Sequence, residues 1–307
     1  MKKTIITGGT GFIGSNTLPY LSKYDSEFYL LGLNEPPLLP YENMKFIRCN
    51  LENRNEVSDC MQQIGANQLL HIAWKMHPGN YNEESNFEWL RLSANLLEEF
   101  KESGGRRVLI TGSSQEYDWD YGYCSENTPI SHKTVYGSTK NLLYQYASTY
   151  CKKYNLELVW PRLFFVYGPH EHPKRLISHI VISLLKNQEA IINNGSLYRD
   201  YMYVKDTADV ISRLLFSDFT GVINIGSGEP LKLADIGLCT AELMGKEKLL
   251  KINYPHSDKW KMVCANVKRL RNEFHFKPTY SLNAGLKETI EWWSHKINHS
   301  TITTKIL

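Results

Sequence analysis

Tyr136-Gly137-Ser138-Thr139-Lys140 sets a phenol and an ammonium four residues apart. On a helix those two positions share one face. A tyrosine ordinarily titrates near about 10, and a cation one turn away favours its phenolate. Such a pair has the chemistry to give a proton to a carbonyl oxygen or take one from an alcohol. By itself the spacing is also that of any surface helix. Thr111-Gly112-Ser113-Ser114 lies upstream and supplies hydroxyls that can hydrogen-bond a reacting oxygen, Ser114 being 22 residues before Tyr136. Near the start, Thr7-Gly8-Gly9-Thr10-Gly11-Phe12-Ile13-Gly14 spaces its glycines at 8, 11 and 14. Gly8 permits a tight turn, Gly11 lets the backbone approach a pyrophosphate, and Gly14 lets a helix pack close to a strand. The backbone N–H groups of Phe12 and Ile13, at the helix start, then meet the phosphates with the positive end of the helix dipole.

These groups need elements to hold them. Thr4–Thr7 reads as a strand, followed by a helix over 12–23, strands over 28–33 and 45–48, and a helix over 53–64. A strand over 68–73, a long helix over 87–101, a strand over 107–111, a helix over 134–153 and a strand over 157–163 complete the pattern. Strands alternating with helices of ten or more residues predict an α/β fold with a doubly wound parallel sheet covered on both faces. Ligands collect outside the carboxyl ends of such strands, where the glycine turn and Ser114 both fall. Pro19 inside the first helix predicts a local kink. After Gly168-Pro169 turn residues grow denser and elements shorter. The division expected is 1–165 for the first domain and 166–307 for a smaller, interleaved C-terminal lobe, with Val222–Ile225 able to return to the first sheet.

The acid that would hold an adenosine ribose belongs at the end of the second strand, where Gly32-Leu33-Asn34-Glu35 stands. Asn34 is neither the Asp of strict NAD preference nor an Arg for a 2′-phosphate, and the balance tilts to NADP(H) over NAD(H). Asn50 and Leu51 follow the third strand where a side chain can meet adenine, although an ordinary helix-capping loop explains them equally well. Ala73, in the unusual His71-Ile72-Ala73-Trp74-Lys75-Met76-His77-Pro78-Gly79 segment, is a further cofactor contact. Trp74 and His77 are read first as core or loop packing, with a place lining a pocket as the alternative.

The chain of 307 residues carries 35 Lys and Arg against 32 Asp and Glu, a net charge of +3 without any basic block. That excludes a nucleic-acid footprint. Six scattered cysteines, with no C-x-x-C, fit core packing in a reducing compartment and not a disulfide or zinc framework. His170, His172 and His179 lack metal-ligand spacing, so no metal is expected. Nothing reads as a signal peptide or a membrane span, which gives a cytoplasmic expectation. Trp292-Trp293 are read as seating the last helix on the core.

Taken in order, these motifs resemble the extended short-chain dehydrogenase/reductases of the nucleotide-sugar epimerase/dehydratase/reductase group. Pro161-Arg162-Leu163, Val166-Tyr167-Gly168-Pro169, Arg199-Asp200-Tyr201 with Val204 and Asp206, and Asn224 to Pro230 carry the resemblance along nearly the whole chain. It implies a Rossmann-type domain, Tyr136 as acid/base, Lys140 holding the nicotinamide ribose and lowering the tyrosine pKa, and Ser114 orienting the sugar oxygen. It also implies Arg199 on the substrate diphosphate, where an Arg-Asp pair alone would read as a surface salt bridge. A homodimer through a four-helix bundle of the helices near 87–101 and 134–153 is implied too.

Departures narrow the reaction. Where the 4,6-dehydratases of this group follow the hydroxyl residue with Asp-Glu, Ser114 is followed by Gln115-Glu116. An amide is no general acid, which disfavours dehydration. Gln115 and Glu116 are then read as substrate ligands, with Glu116 as a second acid/base the alternative. Phe165 stands where galactose-type epimerases have Asn, and Tyr254-Pro255-His256-Ser257-Asp258 stands where many relatives carry an Arg. The expected activity is NAD(P)H-dependent reduction of an NDP-4-keto-6-deoxy sugar with Tyr136 as proton donor. An NAD-dependent NDP-sugar 4-epimerase is the alternative, and a non-catalytic cofactor sensor a distant third.

Overall fold

The structure, a computed structural model, describes residues 2–36, 38–75, 77–254 and 261–304, with side chains as far as 298. Met76 and residues 255–258 of the segment singled out above lie outside the described residues. Five strands open the chain: β1 (Lys2–Thr7), β2 (Ser26–Gly32), β3 (Met44–Arg48), β4 (Gln68–His71) and β5 (Arg107–Ile110). With Glu157–Leu163, Gly221–Ile225 and the short Gly112–Ser113 they form an eight-stranded parallel sheet. From β1 the order runs outward through β2 to β3, and on the other side through β4 and β5 to Glu157–Leu163 and Gly221–Ile225. The winding therefore reverses between β1 and β4 and opens a crevice at the strand C-termini there.

Successive strand residues face opposite ways, so a strand buried on both faces reads as an unbroken apolar run. Ile5, Leu69, Val108 and Leu158 pack into one cluster, while Ile6, Leu70, Leu109 and Val159 pack into another. The first cluster is covered by α2 (Arg54–Ile64), α3 (Ser85–Glu102) and α4 (Val135–Tyr154) through Met61, Phe100 and Leu143. The second is covered by α1 (Phe12–Leu21) and a later helix, Val204–Leu215, through Leu18, Leu21, Val210 and Leu214. The helix that carries Tyr136 and Lys140 begins where the Thr134 hydroxyl accepts the Gly137 N–H at 3.0 Å. It ends at Asn155 in the left-handed region, φ 56.

Two of the boundaries that move from expectation have a visible cause. The fourth strand stops at His71 instead of Ala73, because the N–H groups of Ile72 and Ala73 both turn onto the Thr7 carbonyl, at 3.0 and 3.2 Å. The first helix runs through the exposed Pro19 and ends at Leu21. The ring removes only the N–H that Ser15 would have received, one turn from the end.

Tyr198–Tyr203 is the spine of a second sheet, flanked by Pro230–Lys232, Met262–Ala265 and Phe165–Tyr167. Helices Leu176–Leu185, Leu233–Met244 and Leu282–Thr304 pack around a third cluster holding Ile177, Ile236 and Trp293. Trp293 is buried and donates its indole N–H to Ser178 Oγ at 3.2 Å. All six cysteines are free, and five are buried. Among the described residues no helix is long and apolar enough to cross a membrane, and no three His, Cys, Asp or Glu side chains converge on a metal position.

Candidate active site

The glycine turn joins β1 to α1 at the switch point. Gly8 has φ +77, and a Cβ there would press on the Ala73 backbone; a Cβ at Gly14 would overlap the Gly8 carbonyl oxygen. Gly14 is thus buried packing, while Gly11 caps α1 without any side-chain cap and with no acid in the first turn. The helix start is left to its own N–H groups and dipole, a fit for a pyrophosphate.

A cavity of about 370 Å³ is lined by Gly8, Gly11, Phe12, Ile13 and Ala73 together with Ser113, Ser114, Gln115, Tyr136 and Lys140. Phe165, Arg175 and Tyr201 line the same cavity from the second sheet and its helix. Residues more than a hundred positions apart are thereby brought to one space.

Lys140 is buried and donates to the Thr111 carbonyl at 2.9 Å. Its amine lies over the Trp74 ring, 3.9 Å from the centroid. Burial pulls its pKa down to about 7, against the opposing pull of the Glu116 charge. Burial likewise raises the Tyr136 phenol, with the Tyr81 and Glu116 charges adding, while a hydrogen bond from Ser113 and the Arg175 charge work the other way. In this structure burial dominates the Tyr136 shift, and the Lys140 amine is turned to Thr111 and Trp74. The serine hydroxyl at the phenol is Ser113, the neighbour of the Ser114 singled out from sequence; both line the cavity. His71, next to the site, is held between Thr7 at 2.6 Å and Ser93 at 2.8 Å, and burial drops its pKa to about 3.

Glu116, expected as a substrate ligand, does not line the cavity. Its carboxylate is fully buried beneath the turn, where it accepts from Ser113 N–H at 2.8 Å, Trp160 Nε1 at 3.1 Å and Arg162 Nε at 2.7 Å. Asn50 spends its side-chain oxygen on the Glu52 N–H at 3.1 Å, the capping-loop alternative, and Leu51 packs against the core. Asn34 is exposed past the end of β2. None of these four lines the cavity. His77 sits outside it as well, 3.5 Å from Glu83. Arg199 is buried and not on the surface. It donates to the Tyr198 carbonyl at 2.7 Å and lies 5.7 Å from the rings of Trp119 and Phe165, which do line the cavity. Asp200 is spent elsewhere, accepting from the N–H groups of Ser227, Gly228 and Ala265.

Sequence reasoning passed over Tyr81, Glu171 and Arg175. Tyr81 meets the Tyr136 ring edge-on at 6.1 Å and accepts from Arg175 Nη1 at 2.9 Å. The buried Glu171 carboxyl accepts from Ser178 Oγ at 2.8 Å and is pushed up to about 8. No local spacing marks them, since Tyr81 and Arg175 are 94 residues apart and meet only through the fold.

A family model described as the NAD dependent epimerase/dehydratase family matches residues 4–226. A Bacillus subtilis (strain 168) protein named "Uncharacterized UDP-glucose epimerase YtcB" is 24% identical over 95% of this chain and 98% of its own length. A UDP-glucuronate 4-epimerase of Thermodesulfobacterium geofontis (strain OPF15) is 24% identical over 95% of this chain and 96% of that one. Among solved structures, the UDP-glucose 4-epimerase of Thermus thermophilus in complex with NAD superposes with a TM-score of 0.84 at 22% identity, covering 94% of this chain and 98% of its own.

Proposed function

Because the chain belongs to the NAD dependent epimerase/dehydratase family, we propose that it is an NAD-dependent 4-epimerase of a nucleotide-linked hexose. The observation that carries this reading is the single cavity that holds the glycine turn, Ser113, Ser114, Tyr136 and Lys140 together. The names of full-length relatives support the epimerase over the 4-ketoreductase favoured from sequence alone, and NAD over NADP(H). The glycine turn and the start of α1 would hold the pyrophosphate, and Lys140 the nicotinamide ribose. Bound there, the nicotinamide supplies a reversible hydride acceptor. With it bound, Tyr136 would take the proton of the C4 hydroxyl and give it back to the same oxygen. Ser113 and Ser114 orient that oxygen. A dehydratase role is disfavoured by the site, since Gln115 carries no acidic proton and Glu116 is committed to Arg162. Residues 1–165, with the returning strand Gly221–Ile225, are assigned to the cofactor, and the remainder chiefly to the nucleotide sugar.

The test is a panel of UDP- and dTDP-sugars and their 4-keto forms, followed by NMR and by absorbance at the nicotinamide band. The epimerase reading expects C4 epimers with no net nicotinamide consumption. Stoichiometric NAD(P)H oxidation on a 4-keto sugar would return the reaction to the reductase.

Two further expectations belong to this reading. If Arg199 reaches the substrate diphosphate past Trp119 and Phe165, Arg199→Lys raises KM without altering NAD affinity, because Lys cannot reproduce paired guanidinium bonds. The loss in kcat/KM is about 10- to 150-fold, the worth of a hydrogen bond to a charged group. An unchanged affinity for UDP alone would remove Arg199 from the site. Pairing of α3 and α4 between two copies would cover Phe87 and Leu142, now 45% and 46% exposed. Light scattering should find a dimer, and a monomer at micromolar concentration would overturn the pairing.

A further inference from the structure

We propose that Trp74 is a positioning residue that keeps Lys140 a cation, by laying the indole face against its ammonium inside the cavity. The inference rests on the reading of Lys140 as the ribose-holding cation. Lys140 Nζ stands 3.9 Å from the Trp74 centroid, well within the range where a ring's negative face attracts a cation. The indole is fixed from behind. Its N–H donates to Asn86 Oδ1 at 3.0 Å, its ring lies 6.1 Å from Trp89, and the buried Asn86 is itself anchored on the carbonyls of Asn80 and Glu83, both at 2.9 Å. The other edge of Trp74 meets the Tyr136 ring at 6.0 Å and 72°. One side chain therefore touches both members of the Tyr-Lys pair.

The need for such a partner is physical. Lys140 is buried, its hydrogen-bond partner from the protein is the neutral Thr111 carbonyl, and burial works against its charge. Its other neighbours divide. Glu116, from the turn after Ser114, favours the ammonium, while His71 on β4 is neutral around pH 7 and offers no counter-charge. Tyr136, on the same helix, is protonated there as well. The indole face adds an attraction for the cation.

Two roles for Trp74 give opposite signs. As a holder of the cation, its loss lowers the Lys140 midpoint; as a mere lid, its loss admits water and raises it. The experiment follows the Lys140 ε-carbon by ¹³C NMR against pH in the full-length protein without added nucleotide, with Lys140→Met to assign the signal. The Trp74→Leu variant should titrate about one pH unit lower than wild type, within the range of a desolvated cation–π contact. Trp74→Phe, which keeps a π face, should recover part of that shift. An unmoved or raised midpoint in Trp74→Leu overturns the proposal. Should that variant fail to fold, a ring-fluorinated tryptophan placed at 74 alone keeps the shape while draining the face, and it must lower the midpoint too. NADH titrations across pH supply the second readout, with the alkaline loss of affinity starting about one unit earlier in Trp74→Leu. Wild type that binds no NADH would sink the cofactor reading, while the NMR midpoint still judges Trp74.

Discussion

Tyr136→Phe is expected to cut turnover by about 10²- to 10⁴-fold, the usual worth of a positioned proton donor, while leaving NAD affinity and stability where they are. The phenol reaches the cavity beside Ser113, and its ring is gripped edge-on by Trp74 at 6.0 Å and Tyr81 at 6.1 Å. Phenylalanine keeps both ring contacts and loses only the oxygen that carries the proton, so the substitution isolates chemistry from packing. Burial raises the phenol's pKa, so near neutral pH the group holds its proton and is an acid in hand. Acting as the base is the harder half of its task, and falls to the phenolate-favouring bond from Ser113 and the Arg175 charge. Initial rates on the sugar substrate and an NADH titration of the same variant check the expectation together. Wild-type kcat would show that some other group moves the proton.

What could be read ahead of the structure was whatever depends on neighbours in sequence. The glycine turn, the Tyr-Lys spacing and the alternation of strands with helices are local signals, and each lands where its pattern places it: Gly8 at positive φ, Gly14 against a carbonyl, Lys140 one turn below Tyr136. Strand Gly221–Ile225 joins the first sheet through an apolar run visible in the sequence. The side chains misread are those whose role depends on which way they point. Glu116 follows Gln115 in the chain, yet the short helical turn sends Gln115 to the cavity and Glu116 to the core. Lys140 and Tyr136 share a face, but the sequence holds no record of how dry that face is, and dryness sets the direction of both pKa shifts. Tyr81 and Arg175 had no local signal at all.

Glu116→Gln should be the most destabilising single exchange near the site, costing about 3–5 kcal/mol, because it strands a buried guanidinium. Glu116 and Arg162 are both nearly inaccessible and meet at 2.7 Å. Glutamine's single oxygen can still accept from the Ser113 N–H and from Trp160, but its amide nitrogen then turns a donor toward Arg162 Nε, so the bond to the guanidinium is lost together with the charge. Arg162 makes no second ion pair among the described residues; its Nη1 donates to the Glu126 carbonyl at 3.5 Å, and its guanidinium lies over the rings of Tyr117, at 4.5 Å, and Tyr144, at 5.2 Å. Whole domains are stable by only about 5–15 kcal/mol, so the loss is a large share. Arg162→Met alone should also destabilise, leaving the carboxylate buried without its cation. The two exchanges combined should cost less than their sum, since neither then leaves a buried charge behind. Urea midpoints at constant m-value measure the cycle. A substrate-ligand role for Glu116 makes the contrary forecast, a raised KM with an unmoved midpoint, and that result would place the carboxylate in the cavity after all. The expected result has a chemical consequence as well. A carboxylate locked to arginine beneath the turn is taken out of acid or base work in the cavity, where Tyr136 keeps its place.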